Sequence, residues 1–233
     1  MSGIAEHLVK IRTRIDRAAE RAGRDPAVVR LVAVSKTFPA RIAREAVEAG
    51  AVILGESYAQ EAKAKMAALT ELEIEWHFIG RLQTNKAKEV VSGFSLVHSV
   101  DRLKLAQALN RRVAGRPEGG PLPVLIQVNL AGEESKGGAA ESQALDLIKA
   151  VAGMENLEPR GLMVMPPFFA QPERARPFFS RLAGLAREAR QGTGLALPEL
   201  SMGMSGDFEV AVEEGATLVR VGSAIFGARN YKG

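Results

Sequence analysis

Near the start of the chain Ile4, Leu8, Ile11, Ile15 and Ala18 recur at steps of three and four, with Glu, Lys and Arg between them. That spacing predicts an amphipathic helix, stopped near Gly23. Beyond it, short apolar runs at residues 31–34, 52–54, 76–79, 96–97, 124–128, 162–165, 200–202 and 218–221 make eight strand candidates. The segments 41–48, 58–69, 103–113, 142–151, 174–189 and 208–213 lie between them, each with an apolar face of helical period.

Strands alternating with helices predict parallel pairing through right-handed crossovers. Two stretches echo each other, Ala46-Val47-Glu48-Ala49-Gly50-Ala51 and Ala211-Val212-Glu213-Glu214-Gly215-Ala216. Each reads as a helix end, a glycine C-cap and entry into a buried strand. Eight such units in this length favour a closed α/β (β/α)8 TIM barrel with an extra N-terminal helix. An open doubly wound sheet would carry a glycine fingerprint after its first strand, and that position reads Ser35-Lys36-Thr37-Phe38-Pro39. No linker divides the chain, so residues 1–233 are expected to form one barrel domain, with the turn-rich stretch 115–123 as a loop at the face opposite the ligand site.

Composition narrows this picture. The 233 residues are 46% hydrophobic, enough for one large core. There is no cysteine, which excludes disulfide frameworks and thiolate chemistry and fits a reducing cytoplasm. Glu6, Lys10 and Arg12 interrupt the N-terminus, so it lacks a signal-peptide core, and no apolar run reaches the length of a membrane span. The net charge of +4 is scattered among acidic residues, a weak basis for nucleic-acid binding.

Barrels bind ligands at the C-terminal ends of their strands. In this chain those ends hold Lys36, Glu56, Ser57, His77, Gly80, Asn129, Met163, Met165, Ser201, Arg220, Gly222 and Ser223. A lysine ending a strand is ordinarily a solvated amine; partly desolvated in a barrel mouth, it becomes an amine able to attack an aldehyde. Context favours the second for Lys36. The segments Ser201-Met202-Gly203-Met204-Ser205-Gly206-Asp207 and Arg220-Val221-Gly222-Ser223-Ala224-Ile225-Phe226-Gly227 leave the last two strands. Barrels often bind phosphate there, on backbone N–H groups at the start of a short extra helix. Arg220 ends an apolar strand and should point into the mouth, toward a ligand or a rim carboxylate. His77 has no partner at metal-ligand spacing, so no metal is expected. The loop 132–138 has the composition of a lid or of a plain connection.

Five stretches together resemble the pyridoxal phosphate homeostasis protein family from end to end. They are Ala33-Val34-Ser35-Lys36-Thr37, Gly55-Glu56-Ser57-Tyr58-Ala59-Gln60-Glu61, Trp76-His77-Phe78-Ile79-Gly80-Arg81-Leu82-Gln83-Thr84-Asn85-Lys86, Ser201-Met202-Gly203-Met204-Ser205, and the closing Arg220-Val221-Gly222-Ser223-Ala224-Ile225-Phe226-Gly227-Ala228-Arg229. The resemblance implies a barrel like the N-terminal domain of alanine racemase, with pyridoxal 5′-phosphate carried by Lys36 as a Schiff base. It further implies Arg220 at the pyridine nitrogen, Ser205, Gly222 and Ser223 around the phosphate, and His77, Met163, Ser57 and Ser201 lining the pocket. Ser57 stands where the family usually has asparagine, and Ser223 where it has threonine.

The related racemases take their second base from a tyrosine on a further domain. Here the only tyrosines are Tyr58, at a helix start, and Tyr231, in the tail. The inventory is that of a cofactor carrier more than of a catalyst. The resemblance implies a protein that buffers pyridoxal phosphate and supports amino- and keto-acid balance, with apo-enzymes that require the cofactor as expected partners; a single barrel is expected to be monomeric. A weak amino-acid racemase is the alternative, and a Schiff-base aldolase on a phosphorylated sugar a third reading.

Overall fold

The structure is a computed structural model describing residues 3–114, 119–133 and 137–227. Helix α1 (Gly3–Arg21) is followed by strand β1 (Arg30–Val34), α2 (Ala40–Glu48), β2 (Ile53–Glu56), α3 (Ala59–Ala68), β3 (Glu75–Phe78) and β4 (Leu96–Val100). Then come α4 (Leu103–Val113), β5 (Leu122–Asn129), the two-residue β6 (Ala139–Ala140), α5 (Glu141–Ala152) and β7 (Leu157–Val164). The chain closes with α6 (Arg176–Thr193), β8 (Glu199–Ser201), α7 (Phe208–Glu213), β9 (Leu218–Val221) and α8 (Ser223–Phe226).

Every sheet pairing is parallel, β1 to β9 and β4 to β5 among them, so eight strands form a closed ring and β6 is a short addition beside β5. The expected barrel and its N-terminal helix are therefore present. All eight strand candidates fall on barrel strands, and the six internal helical segments on α2 to α7.

Strands β7 and β4 are among those that run further than their apolar patterns. β7 begins at Leu157-Glu158-Pro159-Arg160, and its pairing with β5 shifts register between Val124 and Leu125. Ladder position can hold polar residues where a bulge bends the strand, so composition alone understates it. β4 continues through His98 and Ser99 to Val100, all buried. Between β3 and β4 there is a 3-10 segment, Thr84–Glu89, instead of an α-helix.

Alternation along the strands separates two cores. Val32, Ile53, Leu96, Leu125, Met163 and Leu218 pack inside the barrel. The opposite faces, with Leu54, Phe78, Ile126, Leu162, Leu200 and Val219, pack against the helices. In α1, Leu8, Ile11, Ile15, Ala18 and Ala19 are buried, and the helix lies against α2, α7 and α8.

The sequence echo is also a structural one. Ala51 N–H donates to Ala46 O and Ala216 N–H to Ala211 O, both at 2.9 Å. Gly50 and Gly215, at φ +100 and +107, reverse the chain between each helix and its next strand. A left-handed turn of this kind favours glycine because it has no Cβ.

Candidate functional site

Strand β1 is buried from Leu31 to Val34, and the chain leaves it through buried Ser35 and half-buried Lys36. Thr37 takes a left-handed φ of +70, and Phe38 N–H bonds back to Ser35 O at 3.1 Å, so Lys36 stands at the apex of a tight turn. The turn is held from its outer side. Lys65 Nζ donates to Ser35 O at 2.7 Å, to Glu56 Oε1 at 2.7 Å and to Glu61 Oε1 at 2.6 Å. Ser35 Oγ donates to Glu56 Oε1 at 2.6 Å, and Thr37 N–H to Glu61 Oε1 at 2.5 Å. Both residues flanking Lys36 are thus tied to one ionic cluster. Burial pushes the Glu56 carboxyl above the usual carboxylate range, against the pull of Lys65 and Ser35.

Lys36 faces a cavity of about 320 Å³ at the C-terminal mouth of the barrel. Arg220, Ser205, Gly222 and Ser223 line it too, with Asp207, Met165 and Phe168 among the rest. Five of the nine expected site residues are therefore brought together. Ser205 Oγ accepts N–H groups from Gly222 at 3.2 Å and Ala224 at 3.4 Å, so the backbone donors of the β9–α8 turn converge on one wall. Arg220 is buried, donating from Nη1 to Ser201 Oγ at 2.5 Å and from Nη2 to Val164 O at 2.9 Å. Burial lowers its pKa to about 10, with Asp207 acting the other way, so it remains a cation at neutral pH. Asp207 Oδ1 accepts Met204 N–H at 2.6 Å, and burial raises its carboxyl above the usual range.

The other four expected residues stand elsewhere around this wall. Ser201 and His77 are fully buried beneath the cavity, inside the barrel, where Ser201 touches Arg220 directly. Met163 belongs to the interior apolar cluster, with Met165 packed against it from above. Ser57 borders the adjoining groove with Tyr58, Arg81, Gln83 and Lys86. Strand alternation turns His77, Met163 and Ser201 to the barrel interior one layer below the mouth, whereas Ser57 follows the last residue of β2 and lies outside that interior layer.

Phe168, Phe169 and Asp207 line the cavity without having been singled out from the sequence. Phe168 is 88% exposed at the rim, while Phe169 stacks on Phe178 with centroids 6.0 Å apart. Their available signal was the run Met165-Pro166-Pro167-Phe168-Phe169 directly after a strand. In the expected lid, residues 134–136 lie outside the described residues, as do 115–118 and the tail from 228, with Tyr231. Among the described residues no group of three or more metal-ligating side chains occurs. None of their helices is long and apolar enough to cross a membrane.

The family profile described as alanine racemase, N-terminal domain, matches residues 7–230. A Pseudomonas aeruginosa protein named pyridoxal phosphate homeostasis protein is 50% identical over 232 residues, covering 99% of this chain and 98% of that one. The chain belongs to this alanine racemase N-terminal domain family, among the pyridoxal phosphate homeostasis proteins. Another family member, from Aquifex aeolicus and of the same name, is 44% identical over 97% of this chain and 98% of its own. PipY of Synechococcus elongatus, whose structure was solved with pyridoxal phosphate bound, is 38% identical with a TM-score of 0.84, covering 96% of this chain and all of that one. In this family setting, the agreement extends over the whole barrel and both loops of the cavity.

Proposed function

We propose that this protein binds pyridoxal 5′-phosphate covalently through Lys36 and serves as an intracellular carrier of that cofactor. The observation that carries the reading is the convergence of one lysine, one buried arginine and the Ser205, Gly222 and Ser223 turn on a single cavity. These residues fit the group. A cavity of about 320 Å³ is in the range of small cofactor sites. Backbone N–H groups and serine hydroxyls suit a phosphate, and glycine lets the backbone approach it. When bound, pyridoxal phosphate supplies an aldehyde for capture by an amine, a phosphate for anchoring and a ring that can draw electrons from a substrate.

The chain's residues divide this work. Lys36 provides the amine, presented by the turn that Glu56, Glu61 and Lys65 fix from behind. Ser205, Gly222 and Ser223 hold the anion. Arg220, a cation, donates toward the ring nitrogen and keeps it unprotonated, which weakens the electron sink that racemisation or decarboxylation needs. Met163, His77 and Ser201 support the site from inside the barrel, while Ser57 lines a separate groove with Tyr58 and Arg81. This distribution favours holding over turnover, in keeping with a role in cofactor and amino- and keto-acid balance and delivery to apo-enzymes.

Borohydride reduction of the loaded protein, followed by peptide mapping, tests the reading. The pyridoxyl group is expected on the Lys36 peptide and absent from Lys36→Ala. A label on another lysine, or a Lys36→Ala variant that keeps the visible absorbance, overturns it. Lys36-dependent exchange of the α-proton of alanine would defeat the carrier half in favour of a racemase.

A further inference from the structure

A barrel interior of this size is ordinarily filled with branched aliphatic side chains. Here Val32, Ile53, Leu96, Leu125, Met163 and Leu218 do so on part of the cross-section, and a polar chain occupies the remainder. Arg220 Nη1 lies 2.5 Å from Ser201 Oγ, and Ser201 Oγ lies 2.8 Å from His98 Nδ1. His98 Nε2 is 3.0 Å from His77 Nδ1, and His77 Nε2 is 2.8 Å from Glu75 Oε1. Ser201, His98 and His77 are fully buried, whereas Glu75 reaches the opposite barrel end beside Arg30.

With both buried imidazoles neutral, the chemistry of the two ends fixes the direction of every bond between them. A guanidinium only donates, so Ser201 Oγ accepts from Arg220 and turns its own proton to His98 Nδ1. His98 then carries its hydrogen on Nε2 and gives it to His77 Nδ1. His77 likewise carries its hydrogen on Nε2 and gives it to Glu75, which as a carboxylate only accepts. Donation therefore runs one way from Arg220 to Glu75, with both imidazoles neutral. Burial lowers the pKa of His77 against the pull of Glu75, and that of His98 well below the ordinary value, where His77, Arg220 and Arg30 add to the effect. The charged groups near this chain are Arg220 and Asp207 at the cavity end, and Glu75, Arg30 and Glu199 at the other.

We propose that His98, backed by His77 and acting through Ser201, is a positioning residue that fixes the Arg220 guanidinium in the cavity. The guanidinium plane is set by two contacts from different strands, Ser201 on β8 and Val164 on β7. Only the hydroxyl contact can rotate, and His98 is the acceptor that stops it from doing so. The proposal deepens the reading of the cavity as a pyridoxal phosphate site, because the orientation of Arg220 then decides what the ring nitrogen meets.

The test compares the wild type with His98→Leu and His98→Gln. Glutamine retains an acceptor and a donor; leucine has neither. Nitrogen NMR of the cofactor-free protein is the first measurement. With three histidines in all, assignment is direct. His77 and His98 are expected as neutral Nε2–H tautomers, with an Arg220 guanidinium signal protected from solvent exchange in the wild type and His98→Gln, and lost in His98→Leu. The second measurement is cofactor release from protein loaded with pyridoxal phosphate, expected to be about tenfold faster in His98→Leu than in the other two, the loss of roughly one hydrogen bond to a charged group. An Nδ1–H tautomer at His98, or an Arg220 signal equally protected in folded His98→Leu, overturns the proposal. So does a His98→Gln protein as impaired as His98→Leu. Failure of the wild type to take up pyridoxal phosphate overturns the functional reading instead, and leaves the NMR arm to decide the positioning role on its own.

Discussion

Replacing Lys65 with methionine should expose how the turn under Lys36 is held. Methionine keeps an unbranched side chain one heavy atom shorter and removes the charge. In the wild type all three ammonium donors are used, on Ser35 O, Glu56 Oε1 and Glu61 Oε1, and the side chains of Lys65 and Glu56 are 4% and 0% exposed. Glu56 would be left buried with only the Ser35 hydroxyl, while half-buried Glu61 would keep water and the Thr37 N–H. Breaking a buried pair by removing one partner costs about 3–5 kcal/mol, chiefly for the charge left behind. At this chain length that corresponds to a melting temperature about 6–20 °C lower. The loss should depend on pH. The Glu56 carboxyl already has a raised pKa in the folded chain. Such a group holds its proton when folded over a range in which the unfolded chain has released it, so stability falls as pH rises from the ordinary carboxylate value through the folded one. Without Lys65 the folded value rises further, so the deficit relative to wild type should be full at about pH 8 and shrink by about pH 5. Taking the difference cancels the buried histidines, which both proteins share. Thermal and denaturant unfolding at the two pH values are the assay. A variant within about 0.5 kcal/mol of wild type at the higher pH, or a deficit that does not change with pH, refutes the cluster as described.

Two further substitutions separate site from scaffold. Ser205→Ala removes the acceptor shared by Gly222 and Ala224 N–H; it should cost about 1–3 kcal/mol in pyridoxal phosphate binding, read by equilibrium titration, and little in melting temperature. Gly215→Ala should lower stability by about 1–2 kcal/mol and leave cofactor uptake alone, because φ is +107 there and the added Cβ meets nothing closer than Leu200 Cδ1 at 3.9 Å. A neutral Gly215→Ala in denaturant unfolding would show that backbone conformation is not what that glycine supplies.

The contrast between what the sequence disclosed and what it concealed follows from which interactions are local. Alternation of apolar runs and helical faces is local, and it placed every barrel strand. The Gly50 and Gly215 turns were legible for the same reason, since a C-cap is decided within six residues. Lys36, Arg220 and the serine-glycine turns were legible because strand ends in a barrel share one mouth. Lys65 was not. On α3 it follows Ala59 and Ala62 at steps of three and so lies on their buried face, but a lysine near a helix end reads as solvated unless its carboxylate on a neighbouring strand is already known.

The polar chain through the barrel was hidden in a different way, although its phase was on view. Glu75 and His77, Leu96 and His98, Glu199 and Ser201, and Leu218 and Arg220 are each two residues apart, the repeat of one strand face. Given that Arg220 faces inward, the same parity assigns Leu218 to the interior, and the pairing of Leu218 with Ser201 extends the assignment to β8. What parity cannot supply is the partner, because His98 and Ser201 are 103 residues apart in sequence and meet only once the ring is closed. Closure is therefore what turns five separate polar residues into a single directed chain. A substitution that loosens closure far from the cavity, on β4 or β8, should reach Arg220 before it reaches Lys36, whose turn is fastened from outside the barrel by α3.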